Sequence, residues 1–364
     1  MKPLSAFNYI RANKGRSAIV IFMLFMTILA SFAGNYIASV DWYWAKAIEY
    51  DKEAVLISGL SVDEEFEDYE AVIEDLEADE DLTVLQRSSY GYSGIEWMCT
   101  MGFEMGSSSF VFDNKDDLKT FFDHVGVECD YSNIHDKSVV MSRALARNND
   151  LELGDVVDYS VNHNISGEYT LDALIDDDSF IVFYVESRPN NNYRAYIMSE
   201  TMSGDELRSH IRSVIGDRKV KIERSVEEEM SEELSIFYIM FFLGVVLLSV
   251  MLAVTVNSVL TGHYIKRTYE FGVYRAIGLS KRNIRRKVFC EIMTMDIIAI
   301  VIAATMVLLV TFLLNELLYL PKGQYLPYFS GMGLAGAAIS NLLVIIPTII
   351  FKGRKMAKAD VTEF

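Results

Sequence analysis

The chain has 364 residues, of which 51% are hydrophobic and three are cysteine, and its formal net charge is −18. So few cysteines exclude a disulfide-dense scaffold, and so acidic a balance argues against nucleic acid as a partner. The average apolar content decides little, because the apolar residues are gathered into long runs.

Residues 1–16 place Lys2, Arg11, Lys14 and Arg16 beside Leu4, Phe7, Tyr9 and Ile10. Such a segment suits either a short amphipathic helix lying in the membrane interface or a plain basic flank. Residues 17–40 follow, apolar and uncharged over 24 positions. A spanning helix needs about 20. This run is too long for a signal-peptide core and lacks a small-residue cleavage site before Asp41, so it reads as a retained anchor. Trp42, Tyr43 and Trp44 then suit an interfacial aromatic belt.

Residues 41–233 alternate helical and strand patterns and predict an α+β domain large enough to own a core. Helical spacing relates Phe66, Tyr69, Val72, Ile73 and Leu76, then Leu118, Phe121, Phe122 and Val125, then Leu207, Ile211, Val214 and Ile215. Strands are expected over Ala54–Ser58, Leu82–Ser89, Phe110–Asp113, Val156–Val161, Ile181–Val185 and Arg194–Met198. Between Asp41 and Met230 there are 43 Asp/Glu against 16 Lys/Arg, a balance that serves solubility or a cationic partner. Cys99 and Cys129 both fall here; a disulfide between them is permitted, and spacing alone does not establish it. The glutamates from Glu227 to Glu233 suit the first turns of a stalk helix, where the helix dipole favours anions.

Three further spans are predicted at 234–260, 292–320 and 330–351, the third with its apolar core over Ile292–Leu314. Asp296 lies within the third span and must face protein or water. The fourth opens on Gly333, Gly336, Ala337 and Ser340, small residues that let helices approach closely within one subunit or between two. Loop 261–291 carries eight Lys/Arg, the N-terminal flank four and the tail 352–364 four, whereas loop 321–329 has only Lys322. Cations resist translocation, so both termini are expected in the cytoplasm and the large domain outside. The expected fold is thus four transmembrane α-helices with a large extracytoplasmic α+β domain between helices 1 and 2.

The chain contains no G-x-x-x-x-G-K-[ST], no H-E-x-x-H and no G-x-S-x-G, so neither a nucleotide site, a metal nor an enzymatic centre is expected. The loop instead reads Arg267, Glu270, Phe271, Gly272, Arg275, Ala276, Ile277, Gly278 and Ser280 at fixed spacing. That string resembles the cytoplasmic signature of the FtsX-like permeases, the membrane subunits of MacB-type ABC transporters. The stretches Val139–Ala146 and Leu153–Asp155 are similar to a recurring piece of the family's outer domains. The tail Arg354–Asp360 resembles the family's ending, without the proline commonly found after the aspartate.

The resemblance implies an ABC ATPase partner that supplies ATP and Mg, a second permease copy or paralogue, no cofactor on this chain itself, and a place in the bacterial cytoplasmic membrane. It implies that Glu270, Phe271, Gly272, Tyr274, Arg275, Ala276, Ile277 and Gly278 couple to the ATPase, for export or extracytoplasmic mechanical work. Activation of a cell-wall hydrolase and sensing of cationic peptides are the alternatives. Phe271, Tyr274 and Ile277, three apart, are expected to form an apolar ridge that docks on a partner, or one that lies on the membrane surface. Gly278 is expected to end that helix and Ser280 to cap the next.

Overall fold

The structure, a computed structural model, describes residues 10–358 except 12, 60–65, 92–93, 164, 166, 188–192 and 203. Most of the expected interfacial segment, including Leu4, Phe7 and Tyr9, lies outside the described residues, as does Asp360. The chain divides into two compact units: residues up to 38 with 236–314 and 327 onward, and residues 39–235 with 315–326.

The first span is made of two helices, α1 (Lys14–Ser31) and α2 (Gly34–Glu53). The apolar part of this span belongs to the membrane unit and the remainder of α2 to the inserted domain.

In the inserted domain the three amphipathic patterns form α3 (Phe66–Glu77), α4 (Lys115–Val125) and, after a short α5 (Arg143–Asn148), α6 (Gly204–Ile215). A four-stranded antiparallel sheet orders Val220–Ile222, Ala54–Gly59, Arg194–Ser199 and Leu82–Gln86. A mixed six-stranded sheet orders Ser89–Gly91, Ser108–Phe112, Ile181–Val185, Ser138–Ser142, Tyr169–Ile175 and Val156–Val157. Alternation of side chains across the strands produces three cores. Val55 and Ile57 pack with α3 and α6 through Val72, Leu76, Leu207 and Ile211. Leu56, Tyr196 and Met198 turn the other way and meet Phe110, Phe112, Phe183 and the α4 residues Leu118, Phe121 and Phe122. On the far face of the larger sheet, Val139, Met141, Val182 and Tyr184 surround Trp97 and Phe180, whose rings stack at 4.0 Å.

Some boundaries differ from expectation. The strand expected over Val156–Val161 stops at Val157, because Asp158 Oδ1 accepts from the Ser160 amide at 2.8 Å and closes a turn. Strands at Ser138–Ser142 and Tyr169–Ile175 escaped the pattern reading; both lie inside the sheet, and the second hides a period-two pattern behind Thr170 and Asp172.

After the domain, α7 runs unbroken from Val226 to Ile265, 40 residues. A capping box starts it: the Ser225 hydroxyl accepts from Glu228 N at 3.1 Å and the Glu228 carboxylate from Ser225 N at 3.2 Å. Its first residues fall in the inserted unit and its remainder, from Ile236, in the membrane unit. Next come α8 (Thr268–Ala276), α9 (Lys281–Leu314) and α10 (Gly331–Lys358). Four helical segments are long and apolar enough to cross a membrane, Ser17–Glu53, Ser235–Ile265, Lys281–Lys322 and Gly331–Ala357. Ile239, Met240, Met251 and Val254 of α7 are each more than 60% exposed, as side chains facing lipid must be.

Segment 315–326 belongs with the inserted domain and not with the membrane unit. Tyr319 OH donates to Thr100 O at 3.1 Å, Tyr325 N to Tyr43 OH at 3.0 Å, and Lys322 pairs with Asp150 at 2.6 Å. The loop between the third and fourth spans therefore lies on the same side as that domain.

Candidate functional site in the loop between the second and third spans

The segment that joins α7 to α9 is organised by one arginine. Arg267 lies in the turn before α8, and its side chain is 10% exposed. Its Nη1 donates to Glu291 Oε2 at 2.8 Å, and its Nε and Nη2 form a fork on Glu270 at 2.7 and 3.0 Å. Glu291 is fully buried, one third of the way along α9, and also accepts from Tyr264 OH at 3.2 Å and faces Lys287 Nζ at 3.4 Å. Tyr274 OH completes the set on Glu270 Oε1 at 2.9 Å. Two cations and two carboxylates balance, which is how charge this deep is tolerated.

Aromatic rings wall the cluster. The Arg267 guanidinium sits 5.0 Å over the Phe271 ring and 5.7 Å from that of Tyr264, and Lys287 Nζ lies 5.5 Å from the Tyr274 ring. Burial works against the charge on Arg267, but its two carboxylate partners outweigh that and raise its pKa. For Glu270, burial alone would raise the carboxyl, and the hydrogen bond and charge of Arg267 prevail and hold it below the ordinary range. Tyr274 is pushed up by burial and by the Glu270 carboxylate.

This geometry revises the expected ridge. Three residues of helix advance about 300°, so each step of three slips roughly 60° round the axis. Phe271 accordingly points inward, fully buried among Val256, Leu260, Ile284, Val288 and Met356, whereas Ile277 is 72% exposed. Gly272 is buried as well, and Tyr274 and Arg275 are half-buried. The exposed edge of α8 and its following turn is built by Tyr269, Ala276, Ile277 and Gly278. Gly278 ends the helix at φ +96°, with its amide on Arg275 O at 2.9 Å. Ser280 Oγ accepts from Asn283 N at 3.3 Å and caps α9. The motif therefore separates into an inward set, Glu270, Phe271 and Tyr274, and an outward set.

Glu291, Tyr264 and Lys287 were not singled out by sequence. The available signal was Glu291 itself, the lone carboxylate in a run of five cations from Lys281 to Lys287 and the residues after it. The small residues of α10 lie at its first turns. Asn35 Oδ1 accepts from both Ser330 N and Ser330 Oγ, at 3.1 and 2.8 Å, and a Cβ on Gly333 would collide with that oxygen. Gly336 is buried, Ala337 packs partly on the membrane core, and buried Ser340 donates to Thr27 O at 3.5 Å. Asp296 accepts from Asn341 at 3.3 Å, one carboxylate oxygen facing the neighbouring span. Cys99 and Cys129 are not bonded: Cys99 is buried beside Trp97 and Phe180, while Cys129 packs against the separate core around α4. Among the described residues no group of three or more His, Cys, Asp or Glu is arranged to hold a metal.

Residues 238–358 match the FtsX-like permease C-terminal family. Among solved structures, the periplasmic region of MacB from Actinobacillus actinomycetemcomitans aligns at 12% identity, covering 50% of this chain and 92% of that one, with a TM-score of 0.28. The extracellular domain of the noncanonic ABC-type transporter YknZ from Gram-positive bacteria aligns at 11% identity over 47% of this chain and 100% of that one, with a TM-score of 0.27. No curated protein matches the chain. The matched residues, 238–358, run from the second span to the end of the fourth and include the Arg267 cluster, so this part of the chain is similar to the C-terminal region of the FtsX-like permeases.

Proposed function

We propose that this permease is the membrane subunit of an ABC-type transporter, energised by a separate ATPase that binds the loop between the second and third spans. The observation that carries the reading is the division of the signature. Its inward residue Glu270 ties α8 to Arg267, and Arg267 in turn binds Glu291 of α9, which also accepts from Tyr264 of α7, while Tyr269 and Ile277 stay 65% and 72% exposed. A partner that pushed on the outward residues would act on a rigid joint, because the ionic set cannot be opened without leaving buried charge unpaired. Since α7 continues without a break into the inserted domain, movement at the joint has a stiff covalent path to that domain. The chain has no phosphate-cradling motif of its own, so ATP and Mg are assigned to the partner. Two copies, or this chain and a paralogue, would form the working permease in the bacterial cytoplasmic membrane, with both termini and the cationic loop in the cytoplasm.

Reconstitution of the full chain with its partner ATPase tests this. Ile277→Asp should leave the permease folded and abolish stimulation of ATPase activity by the permease. Stimulation equal to wild type in both Ile277→Asp and Tyr269→Asp would overturn the assignment of this edge as the coupling surface.

A further inference from the structure

Five of the eight cations of the loop fall into two groups with different fates. Arg267 and Lys287 face carboxylates inside the protein. Arg282, Arg285 and Arg286, on the first turns of α9, line a cavity of about 720 Å3 together with Arg354 of α10. No carboxylate lines that cavity, and among the described residues none of these four guanidiniums forms an ion pair. Four like charges gathered without a counter-ion repel one another, and an anion seated among them removes that cost.

The rest of the lining selects the kind of anion. Phe289 and Ile350, 46% and 43% exposed, continue the cavity wall into the apolar part of the third and fourth spans. Positions 282, 285, 286 and 289 recur at helical spacing, so one face of α9 passes from guanidinium to ring within two turns. Gly353 lines the cavity without a side chain; a Cβ there would lie 3.7 Å from the Arg285 stem, in ordinary contact, so a longer side chain at this position would enter the groove between the helices. A soluble anion would use only the cationic end, and an acidic protein surface would leave the apolar end empty. An amphiphile with a phosphodiester head and an acyl chain fills both, in the way basic pockets between membrane helices take anionic headgroups.

We propose that the cleft between α9 and α10 is a binding site for one anionic phospholipid from the leaflet on the side of the 261–291 loop. Its phosphodiester lies among Arg282, Arg285, Arg286 and Arg354, and its acyl chain lies along Phe289 and Ile350.

The test uses the full chain in nanodiscs of phosphatidylcholine doped with phosphatidylglycerol, followed by native mass spectrometry of the lipid that stays bound. Wild type should retain phosphatidylglycerol over phosphatidylcholine about tenfold beyond their bulk ratio, and the Arg285→Gln/Arg286→Gln double variant should fall to the bulk ratio. Gly353→Leu, which keeps every charge and fills the groove, should lose the retained lipid as well, so the result does not depend on the double variant alone. Inorganic phosphate and glycerol phosphate, added in excess, should not displace the lipid. Unchanged enrichment in both variants would overturn the proposal, as would displacement by inorganic phosphate, which would make the site one for a soluble anion. Variants that keep the lipid and lose only the partner ATPase would reassign the arginines to a protein contact and overturn it too.

Discussion

The Arg267 guanidinium and the Glu291 carboxylate, 24 positions apart in the chain, meet at 2.8 Å in a site where Glu291 has no exposed surface. That pair ties the turn after the second span to the third span, and Glu270 and Tyr274 add α8 to the same knot. A signature that reads as a surface motif is thus half interior. Residues of loop 261–291 serve three ends: an internal lock, an exposed edge on α8, and a cationic cleft.

Removing one member of the lock should cost more than removing the lock. Glu291→Gln leaves Arg267 and Lys287 buried with half their counter-charge, and a loss of about 3–5 kcal/mol is expected. Replacing Arg267, Glu270, Lys287 and Glu291 together by Met, which leaves no charge of the set behind, should lose less than the single change. Chemical unfolding of the purified variants in detergent checks the order; a quadruple variant weaker than Glu291→Gln would contradict it.

Phe271→Ala and Ile277→Ala should separate cleanly. The first empties a fully buried ring site and should destabilise by roughly 3–5 kcal/mol, whereas the second changes an exposed residue and should stay within about 0.5 kcal/mol. Thermal unfolding followed by tryptophan fluorescence distinguishes them.

The depressed carboxyl of Glu270 predicts an acid-dependent loss. Because its folded value lies below the ordinary one, its contribution is fully present above about pH 4.3, the unfolded reference, and disappears as pH falls through the folded value. Glu270 is 38% exposed, so solvent screening keeps the effect small. Between neutral pH and pH ~3.5 the melting temperature of wild type should fall more steeply than that of Glu270→Gln. Parallel slopes would remove Glu270 from the acid-sensitive set.

At the opposite end of the membrane unit, Gly333→Leu drives a side chain into Asn35 Oδ1 and the Ser330 hydroxyl. Overpacking of this kind costs about 1–3 kcal/mol. Gly331→Leu, one residue after the cap and with nothing near its Cβ position, is the matched control and should melt close to wild type.

In the inserted domain, burial pushes the Cys129 thiol up to about 11, with Asp130 adding to the shift. Little thiolate is therefore present at pH 7.5, and alkylation of Cys129 by iodoacetamide should run well over tenfold slower than that of a free thiol near its ordinary pKa. Intact mass with and without reductant should agree, since Cys99 and Cys129 are unbonded.

The four spans and the α+β class were legible in the sequence because hydropathy over about 20 residues and helical or alternating periodicity are local properties, fixed by the chemistry of neighbouring side chains. Gly278 as a helix end and Ser280 as a cap were legible for the same reason. The strand Tyr169–Ile175 was not, since polar Thr170 and Asp172 interrupt the apolar run and only pairing with Ser138–Ser142 makes it a strand. Nor could local pattern assign segment 315–326 to the inserted domain, because Tyr43, Thr100 and Asp150 come from elsewhere in the chain. The sequence by itself determined that loop 261–291 is cationic and carries the permease signature. Only the tertiary structure decided which way each of its residues faces: spacing of three drifts round a helix, and a buried carboxylate at Glu291 turns Arg267 and Phe271 inward while Ile277 remains outside.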